Sequence, residues 1–468
     1  MSDELPQGWA TAPVSAVIED LQAGFASGEK SVAGGVAHLR MNNIGLEGEL
    51  VLDLIRTVPE RLAKLRHDLR QGDVLVCTTN SGKLVGKTAY FDLPGRYTFS
   101  NHLTRLRPKR DVIDGRFLRW NLWLHWKRGL FDDKCKHWVN QSNLPKAALM
   151  EDTLVVPPLA EQRRIVAKLE VLLGKVSACQ KRLATIPVLL ERFRQSVLGA
   201  ACSGRLTADW RANRTVSEDV EGFVDLMSKE RLGFCRTPRE RTRITQFFSQ
   251  IKSRDDLNRN GWVRLKAELV CDFITKGSTP GEVESETKEK VPFLKVYNIV
   301  ENRINFRYRP QFVSRQSHEG VLRRSAVLPG DVLMNIVGPP LGKVAIVPSD
   351  YPEWNINQAL AIFRPVACVK AEFLVISLLG SGSLRAIINE TRGIVGQSNI
   401  SLEQCRHLEV AVPGRAEQKE IVHRVEALFA LADQLEARLA RVRAQVDKLT
   451  PSLLARAFRG RLVPTGGD

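Results

Sequence analysis

The sequence predicts an α+β fold: two mixed α/β domains, each leading into a long helix, with the helices paired as a coiled coil and the chain related to itself by a pseudo-twofold internal repeat. Three observations predict it. The first is the repeat. Val139-Asn140-Gln141-Ser142-Asn143 matches Val395-Gly396-Gln397-Ser398-Asn399, and Ser203-Gly204-Arg205-Leu206 matches Arg459-Gly460-Arg461-Leu462, each 256 positions on (141 to 397, 204 to 460). Between them Val156-Pro157, Ala160-Glu161-Gln162 and Ile165-Val166 match Val412-Pro413, Ala416-Glu417-Gln418 and Ile421-Val422 at the same spacing, so no gap intervenes. The second observation is a 3.5-residue apolar period after each Ala-Glu-Gln. The third is that the stretches upstream break into short β-prone runs bounded by Gly and Pro, such as Asp73 to Val76, Val332 to Ile336 and Val344 to Val347.

The repeat sets the order of elements. A first mixed domain occupies 1–158, a long helix 159–206, and a charged, partly helical linker 207–258. A second mixed domain follows at 259–414, a second long helix at 415–463 and a tail at 464–468. Within the domains the match is looser: Gly8-Trp9 pairs with Gly261-Trp262, Gly72-Asp73-Val74-Leu75 with Gly330-Asp331-Val332-Leu333, Gly86-Lys87 with Gly342-Lys343, and Asn101 with Asn357. The linker carries a basic run, Arg236 to Arg243, and little apolar periodicity, which predicts a solvated segment.

The helices are justified by their steps. Apolar residues fall at Ile165, Leu169, Leu172, Val176, Cys179, Leu183, Ile186, Leu190, Phe193 and Val197, alternating four and three. The second copy holds the same phase from Ile421 to Leu453. A pattern held this long reads as a coiled-coil seam rather than a helix lying on a core. Pro187 removes a donor and predicts a kink or break, while Thr450-Pro451 suits an N-cap followed by proline at the first helical position. Parallel packing would put both domains at one end of the rod. Antiparallel packing would put them at opposite ends and return Gly460-Arg461-Leu462 to the neighbourhood of Leu5. A helix over 161–202 spans about 63 Å, room for two heads one or more duplex turns of ~34 Å apart.

Composition narrows the function. The 468 residues carry 69 Lys+Arg against 52 Asp+Glu, a net charge of +17, and the pI is near 9.7. That balance points to a polyanion, nucleic acid first. Eight cysteines are scattered with no Cys-x-x-Cys pair, which argues against a zinc ribbon or a disulfide framework and fits a reducing cytoplasm. The acidic start, Met1 to Leu5, lacks the apolar stretch of a secretory signal, and the longest apolar run, Phe373 to Leu379, is too short for a membrane span.

Catalytic chemistry is not indicated. Ser81 to Thr88 resembles a phosphate-binding loop, but Gly82 and Gly86 enclose three residues where that loop needs four, and the partner copy, Gly338 to Val344, lacks the hydroxyl. It reads as a tight turn with a protruding lysine. Asp132-Asp133 and Asp255-Asp256 have no counterparts in the partner copy, and eight histidines show no ligand spacing, so neither a catalytic nor a metal site is expected.

Double-stranded DNA is what these residues can bind. Arg105, Arg107, Lys109 and Arg110, with Arg303, Arg307, Arg309, Arg315, Arg323 and Arg324, are candidates for phosphates. Base reading calls for amides and guanidinium groups on loops. Arg40, Asn42 and Asn43 stand at places matched by Lys295, Tyr297 and Asn298, and Asn101-His102 at places matched by Asn357-Gln358. Lys83, Lys87 and Lys343 complete the candidates of the turn segments. Gln141 to Asn143, repeated in the second copy, suits capping a turn, because heads reading different sequences should differ where they touch bases. Thr275, Lys276, Ser278 and Thr279, within Ile274 to Pro280, have no close counterpart around Gly24 to Lys30 and are stronger specificity candidates for it.

These features together resemble the specificity subunits of type I restriction–modification systems. The likeness is carried by Leu5-Pro6 with Gly8-Trp9, the paired Gly-Asp-Val-Leu and Gly-Lys segments, Ile274 to Pro280, both Ala-Glu-Gln helix starts, and Phe193 to Leu198 with Gly204 to Trp210, and it spans essentially the whole chain. The resemblance implies two target-recognition domains separated by an antiparallel helical spacer, each reading one half of a split, asymmetric DNA site. It implies two modification (methyltransferase) subunits as partners, restriction–translocase subunits as further ones, and S-adenosylmethionine, ATP and Mg bound in those subunits, with no cofactor on this chain. A coiled-coil adaptor that binds nucleic acid without sequence preference is the alternative, separated by whether binding discriminates between duplex sequences.

Overall fold

Segments paired by the repeat fold alike. The structure, a computed structural model, describes residues 5–29, 31–139, 141–213, 220–250, 261–281, 290–392 and 399–464. Its internal contacts define two units, Met1–Thr185 with Arg438–Asp468, and Ile186–Ala437.

In the first unit the strands are β1 (Ala10–Pro13), β2 (Ile18–Ala23), β3 (Val36–Leu39), β4 (Arg56–Val58), β5 (Val74–Cys77), β6 (Thr79–Asn80), β7 (Thr88–Tyr90), β8 (Tyr97–Phe99), β9 (Leu103–Pro108), β10 (Lys136–Trp138), β11 (Gln141–Asn143) and β12 (Thr153–Val156). They form sheets ordered β2-β9-β5-β7, β4-β3-β8 and β10-β11-β6, with β1 paired to β12. The apolar run Val74-Leu75-Val76-Cys77 is buried throughout, as a strand covered on both faces must be. Its alternation divides it between two clusters. Val74 and Val76 meet Phe117, Leu118, Leu122 and Trp123 of the helix Gly115–Lys127, while Leu75 and Cys77 meet Leu39, Phe91 and Phe99. Asp114 caps that helix, accepting from the Arg116 and Phe117 amides.

The second unit repeats the plan with β13 (Val263–Lys266), β14 (Cys271–Lys276), β15 (Lys290–Leu294), β16 (Ile299–Val300), β17 (Arg303–Ile304), β18 (Phe312–Ser314), β19 (Ala326–Val327), β20 (Val332–Asn335), β21 (Val344–Ile346), β22 (Trp354–Ile356), β23 (Leu360–Pro365) and β24 (Glu409–Val412). The order β14-β23-β20-β21 answers β2-β9-β5-β7, β18-β15-β22 answers β4-β3-β8, and β13 pairs with β24 as β1 does with β12. The run from Phe373 lies in the helix Ala371–Gly380, whose Phe373, Leu374 and Leu378 are buried against β20 and β23 residues. Among the described residues no single helix is long and apolar enough to cross a membrane.

Two helices, Leu159–Cys202 and Arg415–Asp447, form the rod; a turn at Lys448 separates the second from Leu449–Ala457. Contacts within each unit show them antiparallel. In the first, Gln180 donates to Asp447 at 3.2 Å and Arg443 to the Leu183 carbonyl at 2.7 Å. In the second, Arg194 pairs with Asp433 at 2.6 Å and Glu436 at 2.8 Å, and Arg424 donates to the Leu206 carbonyl at 2.8 Å. Rising numbers on one helix meet falling numbers on the other. Leu169, Val176, Leu190 and Val197, like Val425, Ala432, Leu439 and Val446, are buried at seam positions.

Three expectations need correction. Pro187 neither breaks nor ends its helix, which is continuous from Leu159 to Cys202. Proline has no N–H for the carbonyl four residues back, Leu183, and Arg443 of the facing helix donates to that oxygen instead. The basic run Arg236 to Arg243 keeps its arginines exposed, as expected of a solvated segment, but the linker around it is packed in its described parts. Its helices Val220–Gly233 and Pro238–Gln250 send Met227, Ile244 and Phe248 into the second unit's core, and Arg231 is buried, donating to the Glu268 carbonyl and to Glu240. Thr450 is not the N-cap of its helix: Lys448 holds that place, and Pro451 is the third helical residue, still within the first turn where its missing donor costs no intrahelical bond.

Candidate nucleic-acid interface

Most residues matched between the copies work inside the fold. The Trp9 indole donates to Glu161 at 3.1 Å, and the Trp262 indole to Glu417 at 2.9 Å. Gln162 accepts from the Asp114 amide and donates to the Val112 and Pro157 carbonyls; Gln418 accepts from the Lys370 amide and donates to the Cys368 and Pro413 carbonyls. Each Ala-Glu-Gln thus ties the head of a rod helix to its own domain. Asp73 takes a bidentate pair from Arg107 at 2.8 Å, and Asp331 one from Arg364 at 2.7 Å.

Six of the candidates for DNA contact spend side-chain hydrogen bonds inside the fold. Asn43 and Asn298 are buried and accept from the Arg40 and Lys295 amides, while donating to loop carbonyls. Lys87 is buried, donating at 3.0 Å to the Met41 carbonyl and also to that of Ile44; burial pulls its pKa down. Lys343 is half-buried and donates to the Ile299 carbonyl at 3.2 Å. Arg105 is buried against Asp20 and the Arg66 and Asp68 carbonyls, and burial lowers its pKa too. The hydrogen bonds that Arg107 donates to Asp73 hold it in its charged form. The protruding lysine of the Gly82–Leu84 turn is Lys83, which is exposed.

Of the remaining candidates those for base reading gather at one end of each domain, and the parallel pairing there is the reason; Lys109 and Arg110, which donate to the Ala16 and Gln71 carbonyls, follow the opposite end of β9. β3 and β8 run side by side in one direction, so the loops that leave them, Arg40 to Asn43 and Ser100 to His102, emerge together. The Ser100 amide bonds the Leu39 carbonyl, the Asn101 amide that of Phe25, and the Thr78 amide that of His102. β11 joins the same end through β6, where Asn143 donates to Thr79 at 2.8 Å. Arg40, Asn42, Lys83, Asn101 and His102 therefore share one edge. Arg40 Nε, Ser100 Oγ and His102 Nδ1 are buried there without a hydrogen-bond partner among the described residues.

β15 and β22 repeat this in the second unit. They are parallel, the Asn357 amide bonds the Leu294 carbonyl, and the loops with Lys295 and Tyr297 and with Asn357 and Gln358 emerge together. Asn357 Oδ1 is likewise buried and unpartnered among the described residues. Thr275 and Lys276 end β14, and Ser278 and Thr279 follow, with Arg324 donating to the Ser278 hydroxyl at 3.1 Å. The loop after β14 has a structural counterpart after all. Gly24 and Gly277 each give their amide to the strand behind, Leu103 and Leu360, and a Cβ on either would overlap backbone carbonyls, of Ser100 and of Asn357. Sequence comparison missed the match because only the glycine is shared.

Similarity to known proteins agrees with this geometry. Residues 260–442 match the family model described as the type I restriction modification DNA specificity domain. The chain is 27% identical over 474 residues to the type I restriction enzyme EcoKI specificity subunit of Escherichia coli K12, covering 98% of this chain and 90% of that one. It is 30% identical over 324 residues to the EcoBI specificity subunit of Escherichia coli, covering 69% of this chain and 61% of that one. Over nearly its whole length the chain is similar to the specificity subunits of type I restriction–modification systems. Its fold is that of the HsdS subunit from Thermoanaerobacter tengcongensis, with a TM-score of 0.55, 18% identity and 98% of both chains covered. A chain from a structural study of type I R-M complex assembly and conformational transition superimposes with a TM-score of 0.67 at 19% identity, over 98% of this chain and 99% of that one.

The chain also displays residues that the sequence pattern passed over. Trp138 and Val139 are 61% and 97% exposed at the tip of the β10–β11 hairpin, and Tyr308 stands exposed against Tyr297 and Arg309. The available signal was an apolar pair inside the polar segment Lys136 to Ser142. Gln141 is exposed, but Ser142 bonds His137 and Asn143 bonds Thr79, so the latter two work inside the fold as part of a strand rather than as a turn cap; Gln397 and Ser398 lie outside the described residues. Among the described residues no group of three or more His, Cys, Asp and Glu side chains is placed to hold a metal ion.

Proposed function

We propose that this chain is the non-catalytic DNA-reading subunit of a type I restriction–modification complex, each loop end reading one half of a bipartite, asymmetric duplex site. One observation carries the reading. Polar residues matched between the domains are mostly spent on internal hydrogen bonds, whereas the side chains displayed at the two ends differ: Arg40, Asn42, His102 and Lys83 against Lys295, Tyr297, Gln358 and the Lys276–Thr279 segment. A shared scaffold with divergent polar edges suits two heads of one plan and different specificity. The net charge of +17 supplies the attraction for phosphates.

The rod docks two modification subunits in this proposal, and restriction–translocase subunits join through them. Val171, Val188, Leu189, Leu431 and Leu435 are exposed on the rod helices, apolar surface suited to further helices. S-adenosylmethionine, ATP and Mg act in those partners, and the complex works in the cytoplasm.

The test is to co-express the chain with its modification subunits and map methylated adenines. Replacing 274–280 should change one half of the mapped site and leave the other intact. Methylation without sequence preference would establish the non-specific adaptor instead, and a change in both halves would refute independent heads.

A further inference from the structure

The β10–β11 hairpin is anchored through both its strands yet presents Trp138 and Val139 to water. Its anchoring is complete: β11 pairs with β6, Ser142 Oγ bonds His137 Nδ1 at 2.8 Å, His137 Nε2 meets the Asp132 carbonyl at 3.2 Å, and Asn143 reaches Thr79. A Trp and a Val this exposed beside anchored strands give up the burial that drives folding. The surroundings are cationic and amide-bearing: Lys136 opens the hairpin, Asn80 lies in the strand beside it, and Lys83 follows on the Gly82–Leu84 turn, where a Cβ on Gly82 would stand 3.3 Å from Ser142 Oγ. Asp132 and Asp133 lie at the anchored base, away from the tip in the chain. The same β6 end bonds the Asn101–His102 turn, so the tip shares its edge with the base-reading candidates.

We propose that Trp138, with Val139, is a wedge that enters the duplex at the half-site read by the first unit, stacking on a base and opening the step there. An aromatic ring offers a π-face to any base, and apolar side chains pushed into a duplex unstack it where flanking cations hold the phosphates. The wedge belongs to one half-site. The matched position of the second copy carries Ile394, outside the described residues, and no aromatic residue. This inference rests on the DNA reading proposed above.

The experiment uses the reconstituted complex with its modification subunits on duplexes carrying the mapped site, with 2-aminopurine placed singly across each half. Wild type should raise the fluorescence several-fold at one position of the first unit's half-site and at none in the other half. Trp138→Ala should abolish that rise and weaken binding roughly tenfold, the scale of one lost stacking contact. Trp138→Phe should keep most of both. Because the side chain is exposed, Trp138→Ala should assemble and melt as wild type does. An undiminished fluorescence rise in Trp138→Ala overturns the wedge. So does failure of that variant to assemble without DNA, which would assign the tip to a protein contact. A scrambled duplex in the same assay separates the two readings: if wild type does not discriminate against it, the DNA reading itself fails.

Discussion

Arg443 and Pro187 form a pair that can be taken apart. Proline inside a helix costs about 3 kcal/mol relative to alanine, part of it the carbonyl left without its donor. Here that carbonyl is Leu183's, and the Arg443 guanidinium donates to it at 2.7 Å from the facing helix. A hydrogen bond from a charged donor contributes about 1.5–3 kcal/mol, and partial exposure of Arg443 brings this towards about 1 kcal/mol. Arg443→Met should therefore cost about 1 kcal/mol. Pro187→Ala should stabilise the helix, by less than the full proline penalty because Arg443 already offsets some of it. In the Pro187→Ala background the backbone amide restored at this position serves the Leu183 carbonyl, and Arg443→Met should cost under about 0.5 kcal/mol. Urea unfolding followed at 222 nm, with midpoints compared at constant slope, measures all four corners of the cycle. Equal losses from Arg443→Met in both backgrounds would refute the view that arginine replaces the missing donor.

Glu417→Ala should destabilise far more than Glu161→Ala, by roughly 2–3 kcal/mol: Glu417 holds Trp262, Thr207 and Arg211, whereas Glu161 holds Trp9 and its Oε1 has no hydrogen-bond partner among the described residues. Hydrogen exchange of each rod-helix head reports the two losses separately, and equal loss would contradict the asymmetry. Lys83→Ala should leave thermal stability unchanged and lower the salt slope of DNA binding by about one, while Lys87→Met should cost roughly 2–3 kcal/mol of stability by stripping two loop carbonyls of their donor. A reversed pattern would return Lys87 to the DNA face. Burial and the neighbouring Arg40 lower the His38 pKa from 6.5 to about 4, so the unfolded chain takes up this proton first. Stability from this group is complete above pH 6.5 and lost as pH falls towards 4, by up to about 3 kcal/mol; His38→Gln should flatten that slope in pH-dependent melting.

What could be read beforehand depended on whether a residue's task was periodic or local. The seam was legible because the buried Leu169, Val176, Leu190 and Val197 are spaced at multiples of seven residues. The repeat was legible because the Trp–Glu–Gln tie needs the same side chains in both domains. The error over Pro187 arose because its remedy, Arg443, comes from the other helix, 256 residues away in the chain (187 to 443). Lys87, Arg105 and Arg107 look like phosphate ligands in one dimension, and only the packing of β5, β9 and the Met41–Asn43 turn shows their charges committed within the domain. The equivalence of Gly24 and Gly277 was hidden for the opposite reason: backbone closeness demands a glycine and nothing of the residues around it.

The pairing of β1 with β12, and of β13 with β24, brings the entrance and exit of each domain side by side. Everything that distinguishes one domain from the other is strung between those two stitches, like a loop of thread drawn through a single pair of holes. A gene segment cut at the stitches can be exchanged for another of the same design while the rod is left untouched, so new sequence preference is open to recombination rather than having to await point mutation.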